Sequence, residues 1–452
     1  MNRTPEHLDP SATDRRGFLR TSATAATTTL LGTLNPSRFA HAGGGGAFKL
    51  GLIGCGRRGT AAVGESLGPN PETVLWAASD VFPARIEAMI EAVTPRFQER
   101  IQVAPERRFS GLDGYRAVIE SCDVVLVICP CRFIPDYALE AVKAKKHVFF
   151  EKTAGVDVAG VKRVLEMHEL SKQNGTSVVC GFCYRFHPAR REAVQRIQDG
   201  QIGEIVAIQC NYLRSPYHML DREPQWSELE YQIRNWAYFT WLGGDEIPKS
   251  LSHNIDSALW TLGDAILPEA AYGMGGRSTH FEARWGTSFD HHQVVYEFAD
   301  GLCIYGQCRN TADCYNSNKD VYHGTKGRCH YRMFGAPQIT DLRGNIVWQA
   351  DEETVKQSAF EQEHIDLLHS IRTGEPLHQG KIMADSVMAC VLGQLAVYTG
   401  KRLTWQEVMD SNFAYLPHDE ITWDTEPPVK PGPDGLYPIP LPGKTPLQSL
   451  RG

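Results

Sequence analysis

Three glycines carry the first chemical signal in the chain, in the run Gly54-Cys55-Gly56-Arg57-Arg58-Gly59. In this spacing the first glycine permits a tight turn out of a strand. The second leaves room for a pyrophosphate, and the third lets the following helix pack close to a sheet. The helix start then offers backbone N–H groups and the positive end of its dipole to the anion. Asp80 follows about 20 residues later, where an acidic side chain can accept hydrogen bonds from an adenosine ribose. Its charge repels a 2′-phosphate and favours NAD. Arg57, Arg58 and Arg85 could welcome that phosphate, so NADP stays open. The expected chemistry is nicotinamide-nucleotide binding.

The surrounding pattern supplies elements to hold these residues. Lys49–Ile53 and Thr73–Ser79 read as strands on either side of the glycine turn and a small-residue helix. Asp123–Ile128 and Lys146–Phe150 read as buried strands. A helix over 158–173 leads to a strand over 177–182. Strand and helix alternate, as in a parallel sheet with crossover helices. After Pro188 the pattern changes. Strands are expected at 205–212, 293–298, 302–307, 328–334 and 345–348, with Asp300-Gly301 turning a hairpin. Two helices, 359–371 and 382–398, end at Gly374 and Gly400, where C-terminal glycines belong. The fold class is α/β: an N-terminal Rossmann domain, then an α+β domain with an open, mostly antiparallel sheet. The expected boundaries are 1–42 (signal peptide), 43–175 (nucleotide domain), 176–410 (substrate-binding and oligomerisation domain) and 411–452 (Pro-rich surface tail).

The leader Asp14-Arg15-Arg16-Gly17-Phe18-Leu19-Arg20, a mildly apolar stretch to Leu34 and Ala40-His41-Ala42 read as a twin-arginine signal with its cleavage site. This predicts an exported, periplasmic protein that meets the twin-arginine machinery already folded around its nucleotide. The net charge of −7 and the lack of a basic stripe argue against a nucleic-acid binder. No run beyond the leader reads as a membrane span. The 12 cysteines are scattered through apparent core strands and read as buried thiols. Cys180-Gly181-Phe182-Cys183 with His187 has zinc-like spacing but no second pair, and His291-His292 reads as a strand terminus, so no metal is assigned.

Further motifs come in order: Val127-Ile128-Cys129-Pro130, Lys146-His147-Val148-Phe149-Phe150-Glu151-Lys152, Tyr184-Arg185, Gly243-Gly244-Asp245, His253-Asn254-Ile255-Asp256 and Gly324-Thr325-Lys326-Gly327. With the glycine turn and Asp80, the chain from Phe48 to Trp405 resembles the glucose–fructose oxidoreductase / inositol dehydrogenase / rhizopine catabolism family. The resemblance implies a cleft between two domains, NAD or NADP as cofactor, a sugar or cyclitol substrate and a homo-oligomer formed through the open sheet. It adds Pro130 and Glu151 to the nucleotide-binding residues. Lys152 matches the family's lysine beside the reacting hydroxyl, and His253 its acid–base histidine. The family places a carboxylate four residues before that histidine, whereas this chain has Lys249. Asp245, Glu246 or Asp256 could orient His253 instead, and Lys249 could bind an anionic substrate group. Tyr184 and Arg185 could reach nucleotide or substrate, and Arg185 could equally form a structural ion pair. The segment 212–238, dense in Tyr, Trp, His and Arg, offers aromatic faces to a sugar.

The leading expectation is an exported NAD(P)-dependent oxidoreductase acting on a secondary hydroxyl of a sugar, cyclitol or sugar derivative. One alternative is an NAD-dependent glycosidase working by transient oxidation and elimination. Another is a nucleotide- and sugar-binding protein without turnover.

Overall fold

Six parallel strands build the first layer in the order β3-β2-β1-β4-β5-β6. They are β1 (Phe48–Ile53), β2 (Thr73–Asp80), β3 (Arg108–Ser110), β4 (Val124–Val127), β5 (His147–Phe150) and β6 (Val178–Cys180). This computed structural model describes residues 47–333, 335–417 and 420–450. The signal expected over 1–42 lies outside them. Every residue of β4 is buried, as expected of a β-branched strand covered on both faces. Register aligns the carboxyl ends of the strands: Ile53 pairs with Ser79 and with Val127, and Val127 pairs with Phe150. Gly54, Asp80, Pro130 and Glu151 therefore follow strand ends along one edge. The strand order reverses between β1 and β4, the place where such sheets bind ligands. Because β6 hydrogen-bonds to β5, this sheet continues past the boundary expected at 175.

The second layer has nine strands, ordered β14-β13-β12-β11-β7-β10-β9-β8-β15. These are β7 (Ile205–Arg214), β8 (Ala270–Gly276), β9 (His291–Glu297), β10 (Cys303–Asn310), β11 (Ser317–Gly324), β12 (Gly327–Arg332), β13 (Gln338–Asp341), β14 (Ile346–Gln349) and β15 (Leu403–Thr404). Only β7 and β10 pair in parallel. Gly301, at φ +81°, turns the β9–β10 hairpin. A Cβ on Gly273 or Gly275 of β8 would come within 2.8 Å of Val397. These glycines let the long helix Gly380–Thr399 lie close on the sheet. That helix is long and apolar enough to span a membrane by composition, which corrects the expectation that no such run follows the leader. It is 89% buried inside the protein, against β8, β9 and the helix Val158–Asn174.

The chain returns to the first layer twice. Helix Ala359–Thr373 packs on the helix Arg57–Leu67 and on β5 and β6, and places Leu367 and Leu368 in the core. The Pro-rich segment runs over the surface as expected, anchored at a few points. Phe413, Tyr415 and Tyr437 are buried, and the Tyr437 hydroxyl donates to Glu228 at 2.6 Å.

A buried ion pair ties the turn Cys183–Phe186 to the helix Ser252–Leu262. Arg185 donates to Asp256 at 2.8–3.0 Å and to Asp264 at 2.8 and 3.1 Å. This is the structural ion pair that the sequence left open for Arg185, and it leaves Asp256 engaged away from His253. Arg185→Met strands the Asp256 carboxylate in the core. It should cost about 3 kcal/mol or more in denaturant unfolding, while the folded fraction keeps its nucleotide Kd.

Candidate active site

The glycine turn is built as its spacing requires. Gly54 sits at φ +97°, and a Cβ there would lie 2.0 Å from the Ile128 carbonyl. At Gly59 a Cβ would lie 1.9 Å from the Gly54 carbonyl, so the helix is pressed onto the turn. A Cβ on Gly56 would meet nothing within 4 Å. Gly56 caps the helix Arg57–Leu67 without any side-chain cap, which leaves the first-turn amides available to an anion. Asp80 accepts from Cys55 N at 2.8 Å and Phe82 N at 3.0 Å. These bonds fix its carboxylate at the turn and leave further lone pairs for ribose hydroxyls.

These groups line a cavity of about 820 Å³ between the layers. Every expected nucleotide-binding residue reaches its wall: Gly54, Gly56, Arg57, Arg58, Gly59, Asp80, Pro130 and Glu151. Arg58 differs in role from the expectation, because its guanidinium is committed to Glu65, Glu151 and Glu363 and stacks on Phe360. It offers no free charge to a phosphate.

Lys152, Lys249 and His253 face the same cavity. Lys152 follows β5, and its Nζ donates to the Lys249 carbonyl at 2.6 Å. Burial pushes the Lys152 ammonium below the usual lysine range, against the pull of Cys131 and Glu151. The Lys249 carbonyl belongs to a π turn, Ile247–Leu251, that leads into the helix Ser252–Leu262. Such turns are frequent at functional sites. The Lys249 ammonium meets Glu246 at 2.7 Å and lies 4.9 Å from the Tyr217 ring.

His253 has none of its expected carboxylate partners. Asp245 is taken by Phe289 N, Tyr398 and His292, and Glu246 by Lys249, Ser250 and Asn310. Asp256 binds Arg185 and Ser386. Among the described residues the His253 Nδ1 has no hydrogen-bond partner. Burial, then the cations Lys152, Arg190 and Arg58, hold its pKa well below the usual histidine value. It is a neutral imidazole. Tyr184 lies outside the cavity wall and packs its ring 4.9 Å from that imidazole, under Arg190. It positions His253 and is not placed to touch substrate.

Of the aromatic segment, Tyr212, Tyr217 and Trp236 line the cavity. Arg214 and Phe360 also line it and were missed by the sequence reading. Arg214 had a usable signal, because it stands two residues beyond Tyr212 on a strand and so shares its face. Phe360 had none.

An open anion cradle facing a half-buried lysine across one cavity is the arrangement of a dinucleotide-dependent oxidoreductase. The comparisons agree. An oxidoreductase family with an NAD-binding Rossmann fold matches residues 48–181, and a GFO/IDH/MocA C-terminal domain matches 190–330. The chain belongs to the GFO/IDH/MocA family and is an NAD-binding oxidoreductase. It is 25% identical to myo-inositol 2-dehydrogenase of Thermotoga maritima, over 77% of this chain and 95% of that one. It is 24% identical to 2,7-anhydro-N-acetylneuraminate hydratase of Escherichia coli, over 50% of this chain and 56% of that one. Its fold is similar to scyllo-inositol dehydrogenase of Lactobacillus casei, solved with NAD(H) and scyllo-inositol. The TM-score is 0.60 at 18% identity, over 80% of this chain and 99% of that one.

The cradle gives two separable outcomes. Gly56→Leu fills open space, so it should weaken NAD binding at least about tenfold by calorimetry and leave the melting temperature of the nucleotide-free protein unchanged. Gly59→Ala drives a methyl into backbone and should lower that melting temperature.

Proposed function

We infer that the protein oxidises a secondary hydroxyl of a sugar, cyclitol or sugar derivative, and reduces the carbonyl in reverse. The observation that carries this reading is the half-buried Lys152, its Nζ bound to the Lys249 carbonyl and its pKa depressed, in the cavity that holds the nucleotide cradle. NAD, when bound, supplies the hydride acceptor. The amides after Gly56 would hold its pyrophosphate and Asp80 its ribose hydroxyls. The commitment of Arg58 to three carboxylates supports NAD over NADP.

In the oxidation direction the neutral Lys152 amine accepts the hydroxyl proton. As an ammonium it would polarise the carbonyl in the reverse direction. The neutral His253 can accept a hydrogen bond from a substrate hydroxyl and steady it. The dehydrogenase names among the relatives support this class. Homo-oligomerisation is supported by the exposed Tyr272, Met274 and Tyr305 on the second sheet.

The twin arginines support export of the folded protein with its nucleotide retained. They favour a second reading, glycoside cleavage by transient oxidation, elimination and re-reduction, which needs no outside cofactor supply. The E. coli relative's name, a hydratase, also describes a reaction without net oxidation.

Lys152→Met should lower kcat by about 100-fold or more with little change in NAD affinity. The wild-type rate of alcohol oxidation should rise with pH as the amine deprotonates, with its midpoint below the ordinary lysine value of 10.5. The variant should lose that limb, and equal activity in both proteins would remove Lys152 from the mechanism. Protein purified from the exported fraction should carry bound NAD, identified by mass spectrometry. Net NADH formation from a free monosaccharide supports the dehydrogenase, whereas sugar release with constant NAD absorbance supports the redox-neutral cycle.

A further inference from the structure

The cavity wall carries more cations than carboxylates, with Arg57, Arg58, Arg85 and Lys152 on the nucleotide domain and Arg214 and Lys249 on the second. Its lining carboxylates, Asp80 and Glu151, both belong to the nucleotide domain. Asp80 is held by backbone amides, and Glu151 by Arg58 and the Lys152 amide. The second domain lines the cavity with Arg214, Lys249 and His253 but with no carboxylate. Where a carboxylate was expected four residues before His253, the chain has Lys249. Glu246, fully buried behind it, balances that ammonium. Arg214 has no such balance. Its guanidinium lies 3.3 Å from the Tyr217 ring centre, and its Nε donates to the Ser215 carbonyl at 2.9 Å. Among the described residues no carboxylate pairs with it.

Contacts run unbroken from the reacting lysine to this charge. Lys152 touches the Lys249 carbonyl, the Lys249 ammonium approaches the Tyr217 ring, and Arg214 covers the same ring. A half-buried guanidinium in the cavity wall without a carboxylate partner is free to meet a ligand's counter-charge. A guanidinium does so best with a planar or tetrahedral oxyanion, through paired N–H donors. A neutral polyol would leave that charge unmet.

We propose that the substrate is a sugar or polyol bearing an anionic oxygen group, a carboxylate or a phosphate, and that Arg214 holds this group while Lys152 faces the reacting hydroxyl. The proposal rests on the oxidoreductase reading above and specifies its substrate class.

The test titrates the NAD-loaded protein by calorimetry with gluconate, glucuronate, glucose 6-phosphate, glucose and myo-inositol. It then measures kcat/KM for each. At least one anionic compound should exceed its neutral counterpart by about tenfold or more in both measurements. Arg214→Met should bring that ratio close to one with NAD affinity unchanged, and Arg214→Lys should keep part of it. Preference between the acids and the phosphate identifies the source of the oxyanion. Neutral compounds preferred by the wild type, or an anion-to-neutral ratio unmoved in Arg214→Met, overturns the proposal. Arg214-dependent anion binding without hydride transfer from any compound keeps the anion site and removes the oxidoreductase reading instead.

Discussion

The Arg58 guanidinium joins three parts of the chain that are far apart in sequence. From the first turn after Gly56 it meets Glu65 on its own helix, Glu151 at the end of β5 and Glu363 on the returning helix Ala359–Thr373. One cation among three carboxylates would leave net negative charge in a largely dry region. Burial and the nearby Glu151 push the Glu363 carboxyl well above its ordinary value, and burial also raises Glu65. Of the three contacts, the one with Glu151 crosses from helix to sheet. It fixes the start of the cradle helix against the end of β5, so anion site and lysine share one frame.

The next residue carries that frame across the cleft. Glu151 Oε2 accepts the Lys152 backbone N–H at 3.0 Å, and the Lys152 side chain reaches the Lys249 carbonyl on the other domain. Thr153 does the same with Pro248. The π turn that presents these carbonyls also begins the helix bearing His253. Lysine and histidine are thus set relative to each other by main-chain bonds, without a carboxylate between them. This accounts for the depressed pKa of His253, whose half-buried imidazole stands beside cations with no carboxylate to favour a second proton.

How much of this was legible in the sequence depends on the range of each constraint. Gly54, Gly56 and Gly59 answer to the backbone of one turn, so their roles could be read from spacing alone. The hairpin at Asp300-Gly301 and the glycine ends of the last helices are equally local. Partner choice is not. Arg185 and Asp256 are polar residues next to recognisable motifs, yet they satisfy each other in the core. Arg58 lies inside the nucleotide motif, yet it serves Glu363, 305 residues away. The spacing of β8 glycines said nothing of Val397, and the apolar run of Gly380–Thr399 reads the same whether it faces lipid or protein. Each of these needed the tertiary fold to settle which charge or surface lies opposite.

The thiols connect the cavity to the export proposed from Arg15 and Arg16. All 12 cysteines are free, and most are buried. Cys55, Cys129 and Cys131 stand in the wall of the nucleotide cavity, and burial pushes each thiol above its usual range. The thiolate is the reactive form, so these groups are poor partners for disulfide exchange while the fold is closed. An unfolded chain would expose all of them together. A route that moves the protein only after packing, with nucleotide filling the cavity they line, therefore suits this sequence better than threading it unfolded into an oxidising compartment. Burial is thus the common physical cause that lowers the Lys152 pKa and raises those of the neighbouring thiols.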